Sequence, residues 1–325
     1  MTPLRRNFLR LAMTALALSG SAAALAQAYP HKPVKILIPF SPGGSNDTVG
    51  RFLGDELQKK FGQPFVVENR GGAGGVVGSD FVAKSPADGY TLLLVSTPHV
   101  ANPFIYRRMP YDALKSFTPV ARVMSAPVVI ATTPGLGFQK VGDLVQRAKS
   151  QPGKLTFVSS GTGSYFHLAS EMFADQTQIK LLHIPYKGAG PAMADVVAGH
   201  ADISIGSVLS ALPHVKSGRL KALAVSGSKR QSTMPDVPTM AEAGYPGYEA
   251  DNWWGVLAPA GTPADVVDTL ARAIGDIMAA PATAARFAPE GVVASYQGPA
   301  AFKGFMDTET TKWSRLIKDV GISAD

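Results

Sequence analysis

Two stretches of the chain concentrate glycine and short hydroxyl side chains, SPGGSND at 41–47 and SSGTGS at 159–164. Each follows an apolar, strand-like run and opens a segment with helical spacing. The first turn of a helix carries unpaired backbone N–H groups and a partial positive charge, so it accepts a carboxylate or phosphate without Lys or Arg. Gly43 and Gly44 let the main chain come close to such an anion, and Ser45, Asn46 or Asp47 can cap the helix. The second loop offers donors at Ser159, Ser160, Thr162 and Ser164, separated by Gly161 and Gly163. Glycine-rich strand-to-helix turns are common in α/β folds, so either loop alone is a weak signal. The pair in one chain points to a small anionic ligand held from two sides.

The residues give little support to catalysis. No G-x-S-x-G, P-loop or H-E-x-x-H pattern occurs, and a third glycine-rich turn, RGGAGGVVGSD at 70–80, lacks dinucleotide-binding spacing. His167 and Glu171 stand four apart on an expected helix, but no third ligand accompanies them, so hydrogen bonding of His167 to its own loop is the preferred reading over a metal site. Asp47 would repel a carboxylate ligand and reads better as a cap. Trp253 and Trp254 read first as core residues and second as cleft-lining aromatics. No catalytic residue, metal or cofactor is expected.

Elements must hold these loops apart and facing. Strand-like runs recur at 34–40, 64–70, 90–96, 154–160, 179–186, 202–207 and 221–226, with helical patterns such as DTVGRFLGDELQKKF and HLASEMFADQT between them. That alternation predicts an α/β fold with largely parallel sheets, whose ligands gather at the carboxyl ends of strands. Two longer runs, 117–133 and 253–260, predict crossover strands between two lobes. One lobe would comprise 29–128 plus 256–325 and the other 129–255. The segments VVDTLARAIGDIMAAP and AFKGFMDTETTKWSRLIKDVG predict helices returning to the first lobe.

Composition narrows the setting. Hydrophobic residues make up 46% and charged residues 17%, enough apolar side chains to build a core in a chain of 325 residues. Arg5, Arg6 and Arg10 precede LAMTALALSGSAAALA, which predicts a secretory signal over 1–26, cleaved after Ala26 or Ala28. RRNFLR also matches the twin-arginine consensus, so export by either the Sec or the twin-arginine route is open. Without those arginines the formal charge falls from +7 to +4, and the remaining basic residues are scattered rather than striped, which argues against a nucleic-acid surface. There is no Cys, so disulfide and thiolate chemistry are absent.

The segments YPHKPVKILIPFSPGGSND, VVENRGGAGGVVGSDFVAKSPADGYTLLL, GTGSYFHLASEMF, HIPYKGAGPAMADVVAGHADI, MPDVPTMAEAGYPGYE and WWGVLAPAGTP span nearly all of the expected mature chain. Together they closely resemble the Bug receptor family, the TctC-like extracytoplasmic solute-binding proteins of tripartite tricarboxylate transporters. The resemblance implies a two-lobed type II periplasmic binding protein, a Venus flytrap that closes on a carboxylated solute and delivers it to membrane permease subunits. It implies that Ser41, Gly43, Gly44 and Ser45 hold one carboxylate through backbone N–H groups, and that Ser160, Thr162, Gly163 and Ser164 hold the other end. Phe40, Asp47, Ser96, Thr97 and His167 complete the candidate ligand-binding set. The strand ends at Ser96-Thr97, Ser159-Ser160 and Gly206-Ser207 supply no acid for an ammonium group, which slightly favours a dicarboxylate without an amino group. Phe40, Tyr165 and Trp253 would tolerate an aromatic acid. A periplasmic monomer is expected; the rivals are a receptor that presents its ligand to a sensor, and an exported hydrolase or isomerase using His167 with a neighbouring serine.

Overall fold

The computed structural model describes residues 29–323. The expected signal and its cleavage sites lie outside the described residues. The elements run β1 (Val34–Ile38), α1 (Ser45–Phe61), β2 (Phe65–Asn69), α2 (Val76–Ala83), β3 (Thr91–Ser96), α3 (Pro98–Ile105) and β4 (Phe117–Thr132). They continue with α4 (Val141–Ser150), β5 (Thr156–Ser159), α5 (Tyr165–Thr177), β6 (Leu182–Pro185), α6 (Ala189–Ala198), β7 (Ile203–Ser207), α7 (Val208–Lys216) and β8 (Lys221–Val225). The last are β9 (Asp251–Pro259), α8 (Ala264–Ala279), α9 (Pro281–Phe287), β10 (Val293–Gln297) and α10 (Pro299–Val320).

Strand alternation explains how β1 seats itself. Val34, Ile36 and Ile38 point to one face and meet Val49, Leu53 and Leu57 of α1, while Leu37 points to the opposite core. Gly50 and Gly54 let α1 lie close: a Cβ at Gly50 would stand 2.5 Å from the Ile38 side chain, and one at Gly54 would stand 3.1 Å from the Phe65 carbonyl. Gly62, in the left-handed conformation at φ 67°, ends the helix.

Strand β4 belongs to two sheets. From Phe117 to Pro127 it pairs with β9 and β10, and from Val128 to Thr132 it pairs with β7 and β8. The change falls at Pro127, which lacks the N–H that a continuing ladder needs. One sheet therefore runs β2-β1-β3-β9-β4-β10 and the other β8-β4-β7-β5-β6. Chain passes from the first to the second along β4 and returns through β9, the two crossover strands of a two-lobed α/β fold.

The expectation of largely parallel sheets needs correction. β1 is parallel to β2 and β3, and β5 to β6 and β7, as strand-helix-strand units require. Every pairing made by β4 and β9 is antiparallel, so the centre of the molecule is antiparallel and only its outer parts are parallel. The return strands run against their neighbours, an order set by tertiary pairing and invisible in any one segment. One core, containing Leu93, Val128, Ile130, Phe157, Trp253 and Trp313, continues across both sheets, and two smaller cores cover their other faces.

Candidate functional site

A cavity of about 340 Å³ lies where β4 changes sheet, with walls from both sheets. Four helices open onto it. Gly43, Gly44, Ser45 and Thr48 come from the start of α1, Tyr165 and Phe166 from that of α5, Ala189 and Gly190 from that of α6, and Leu209 and Ser210 from that of α7. Ser207, Asn252, Trp254 and Val292 complete most of the wall. Among the described residues no Lys or Arg lines it; the acidic lining residue, Glu290, is bound by Arg286 at 2.5 Å. Positive potential in this cavity therefore comes from helix N-termini, each contributing roughly 0.5–2 kcal/mol to a partly buried anion.

Local sequence explains why the amides stay available. Gly44 is the N-cap of α1, Gly188 of α6 and Ser207 of α7, and none makes a side-chain cap bond. Gly43 has φ +87°, which only glycine adopts without strain, and its N–H donates to Asp47 Oδ2 at 3.1 Å. Asp47 also accepts from Arg51 Nε at 2.9 Å and from Asn69 Nδ2 at 2.9 Å. Burial pushes the Asp47 carboxyl up, but the bonds from Arg51, Gly43 and Asn69 outweigh it and hold the group below the usual carboxylate range. Asp47 is thus occupied in bracing the loop. The first-turn amides of α1, from Gly44 onward, lack intrahelical partners, and Gly44 and Ser45 among these residues line the cavity.

The second loop is braced from beneath. Gly163 N–H donates to His167 Nδ1 at 3.1 Å, and His167 N–H donates to the N-cap Ser164 Oγ at 3.4 Å. Ser159 Oγ lies 2.7 Å from His183 Nε2 and accepts the Gly161 N–H at 3.1 Å. Burial and the adjacent His167 push the His183 imidazole down to about 4.

The structure gathers only part of the expected set into the cavity. Gly43, Gly44 and Ser45 line it, and Ser160 lines a small adjoining recess that shares Phe166, Ala189, Ser207 and Ser210 with it. Phe40 and Ser41 stand behind the first loop against the turn at 71–75. Ser96 and Thr97 are buried; Thr97 reaches the cavity through Asn252, whose Oδ1 accepts its hydroxyl at 3.1 Å. Thr162 is exposed, Gly163 packs on Ile105, and His167 is buried beneath the loop.

Reading the sequence missed the α6 and α7 contributions and Glu290. KGAGPAM, a further glycine-rich entry to a helix, was the available signal for α6. The tryptophans divide by strand alternation: Trp254 lines the cavity and donates its indole N–H to Asn46 Oδ1, while Trp253 faces the opposite core and donates to Glu309 at 2.9 Å. Of the three aromatics expected to tolerate an aromatic acid, Tyr165 therefore lines the cavity, while Phe40 and Trp253 do not.

Comparison with known proteins agrees with this geometry. Residues 49–322 match the family model described as the tripartite tricarboxylate transporter family receptor. Protein BugT of Bordetella pertussis is 39% identical over 309 residues, covering 94% of this chain and 95% of that protein. Rpa4515 of R. palustris, solved with adipate, superposes with a TM-score of 0.81 at 32% identity, over 90% of this chain and 99% of that one. MatC from Rhodopseudomonas palustris, solved with bound malate, gives a TM-score of 0.78 at 28% identity, over 89% of this chain and 100% of that one. Such similarity extends over both sheets, the crossover strands and the loops that build the cavity, and the chain belongs to the Bug/TctC family of tripartite tricarboxylate transporter receptors.

Proposed function

We propose that this chain is a periplasmic receptor that captures a small carboxylate, a dicarboxylate foremost, between its two lobes and delivers it to membrane permease subunits. The observation carrying this reading is the convergence of four helix N-termini on one cavity whose lining, among the described residues, contains no Lys or Arg. Backbone amides from Gly44 and Ser45 would receive one carboxylate, and the starts of α5, α6 and α7 with Ser160, Ser207 and Ser210 the other end. The lobes, 29–128 with 256–325 and 129–255, would close on such a bridging ligand, and the closed form would be the one the permease reads. Adipate and malate in the related structures support the ligand class. The protein does no chemistry in this account: His167 Nδ1 is taken up by a backbone N–H rather than by a serine hydroxyl.

A thermal-shift panel on refolded, ligand-free protein tests the proposal with mono-, di- and tricarboxylates, aromatic acids and acidic amino acids. A ligand at 100 times its Kd adds about 2.7 kcal/mol. For a chain of this size that moves Tm by about 4–5 °C. A shift selective for dicarboxylates is expected; a panel without any shift refutes the reading.

A further inference from the structure

Beneath the second loop, three rings stack without reaching the cavity. The imidazoles of His167 and His183 lie 4.0 Å apart at 14°, and Phe157 stacks on His183 at 4.8 Å and 14°. Each imidazole holds one end of the same six-residue loop: His183 meets Ser159, which binds Gly161, and His167 accepts from Gly163. On its other edge, His167 Nε2 faces Glu171 Oε1 at 3.5 Å. A carboxylate there favours the tautomer with the proton on Nε2, leaving Nδ1 as the acceptor that the Gly163 N–H needs.

We propose that His167 is a positioning residue for ligand binding, fixing the 159–164 loop through an unprotonated Nδ1 set by Glu171 and by stacking on His183. A proton on Nδ1 would set two N–H donors face to face and release Gly163. It would also place a charged ring against His183 at stacking distance. The titratable groups facing the pair are Glu171 and the two imidazoles themselves; β5 presents Phe157 and Ser159, and α3 presents Ile105 beneath Gly163. The low proton affinity of the His183 ring fits this arrangement, since that ring then carries no charge near neutrality. Loop order, and with it affinity for the ligand, is thereby tied to the protonation of a side chain that touches no ligand.

This inference rests on the receptor reading for its consequence, but not for its structural content. The test compares wild type, His167→Asn and His167→Leu, with adipate and malate as probes in calorimetry from pH 7.5 downward. Asn keeps an acceptor near the Nδ1 position and does not titrate; Leu keeps bulk without an acceptor. At pH 7.5 the Leu variant is expected to bind at least tenfold more weakly and the Asn variant within threefold of wild type. On acidification wild type should weaken relative to Asn, a ratio in which protonation of the acid itself cancels. Nitrogen NMR of the ring and exchange of the Gly163 amide report without ligand, so if wild type binds neither acid the carboxylate panel decides the receptor reading and the amide decides this inference. Equal losses in Asn and Leu, a proton on Nδ1 at pH 7.5, or a Gly163 amide that stays protected as Nδ1 titrates would each overturn it.

Discussion

Replacing Gly44 with leucine separates ligand binding from folding more sharply than any other change at the site. Gly44 has φ −86° and ψ 174°, an extended conformation open to every residue, and a Cβ there meets nothing within 4 Å. It caps α1 without a side-chain bond, so the folding cost is limited to the weaker capping of an aliphatic residue, about 0.5–1 kcal/mol. That lowers Tm by about 1–2 °C. The added side chain projects into the space where an anion must approach the amides of Gly44 and Ser45. Two hydrogen bonds to a charged acceptor contribute about 1.5–3 kcal/mol each, so their loss weakens binding by roughly 10²–10⁴-fold. Calorimetry with the best acid of the panel reads the affinity, and thermal unfolding without ligand reads the fold. Gly43 is the instructive contrast, because its φ of +87° strains any replacement and mixes both effects. If Gly44→Leu binds within threefold of wild type while remaining folded, the first loop does not hold the ligand by its backbone.

Three further changes probe the framework. Asp47→Asn removes the charge that Arg51 and Gly43 share, and should cost about 1 kcal/mol, seen as a Tm lower by about 2 °C. Because folding lowers the Asp47 pKa, its contribution is complete above the unfolded value and lost as pH falls through the folded one; the gap between wild type and Asn should therefore close in acid. Ala73, at φ 46° between glycines that also have positive φ, should gain about 0.5–1 kcal/mol on replacement by glycine, measured by urea unfolding. Gly255→Ala would put a methyl 2.2 Å from the buried Phe302 ring, which is itself packed on Trp253, and should destabilise by about 1–3 kcal/mol in the same assay.

Much of the scaffold was legible because its cores are written at strand and helix spacing. β1 and β3 are largely apolar runs buried on both faces, and α1 and α8 carry apolar stripes that fit them. β10 escaped notice because its five residues are exposed or half-buried and present no alternating apolar set. α3 did so because Pro103 sits inside it and its eight residues are too few for a clear period. The antiparallel centre was not readable, since β4 and β9 are each plausible strands whatever their direction. At the site, both glycine-rich loops were visible as helix entries, but which amides remain free depends on Asp47 and His167 reaching back to Gly43 and Gly163. The split between Trp253 and Trp254 depends on which face of β9 meets the cavity, and both faces of that strand are apolar.

On this reading, backbone amides at helix starts on both sides of the cavity hold one carboxylate ligand. Titrating nitrogen-15-labelled protein with adipate tests it most directly, through the amide signals of Gly44 and Ser45 in α1 and of Gly190 in α6. All three should shift downfield together and saturate at a single affinity, as hydrogen bonds to a charged acceptor form on both sides of the cavity. Shifts confined to one side, or none at saturating adipate in a protein that binds it by calorimetry, would contradict the account.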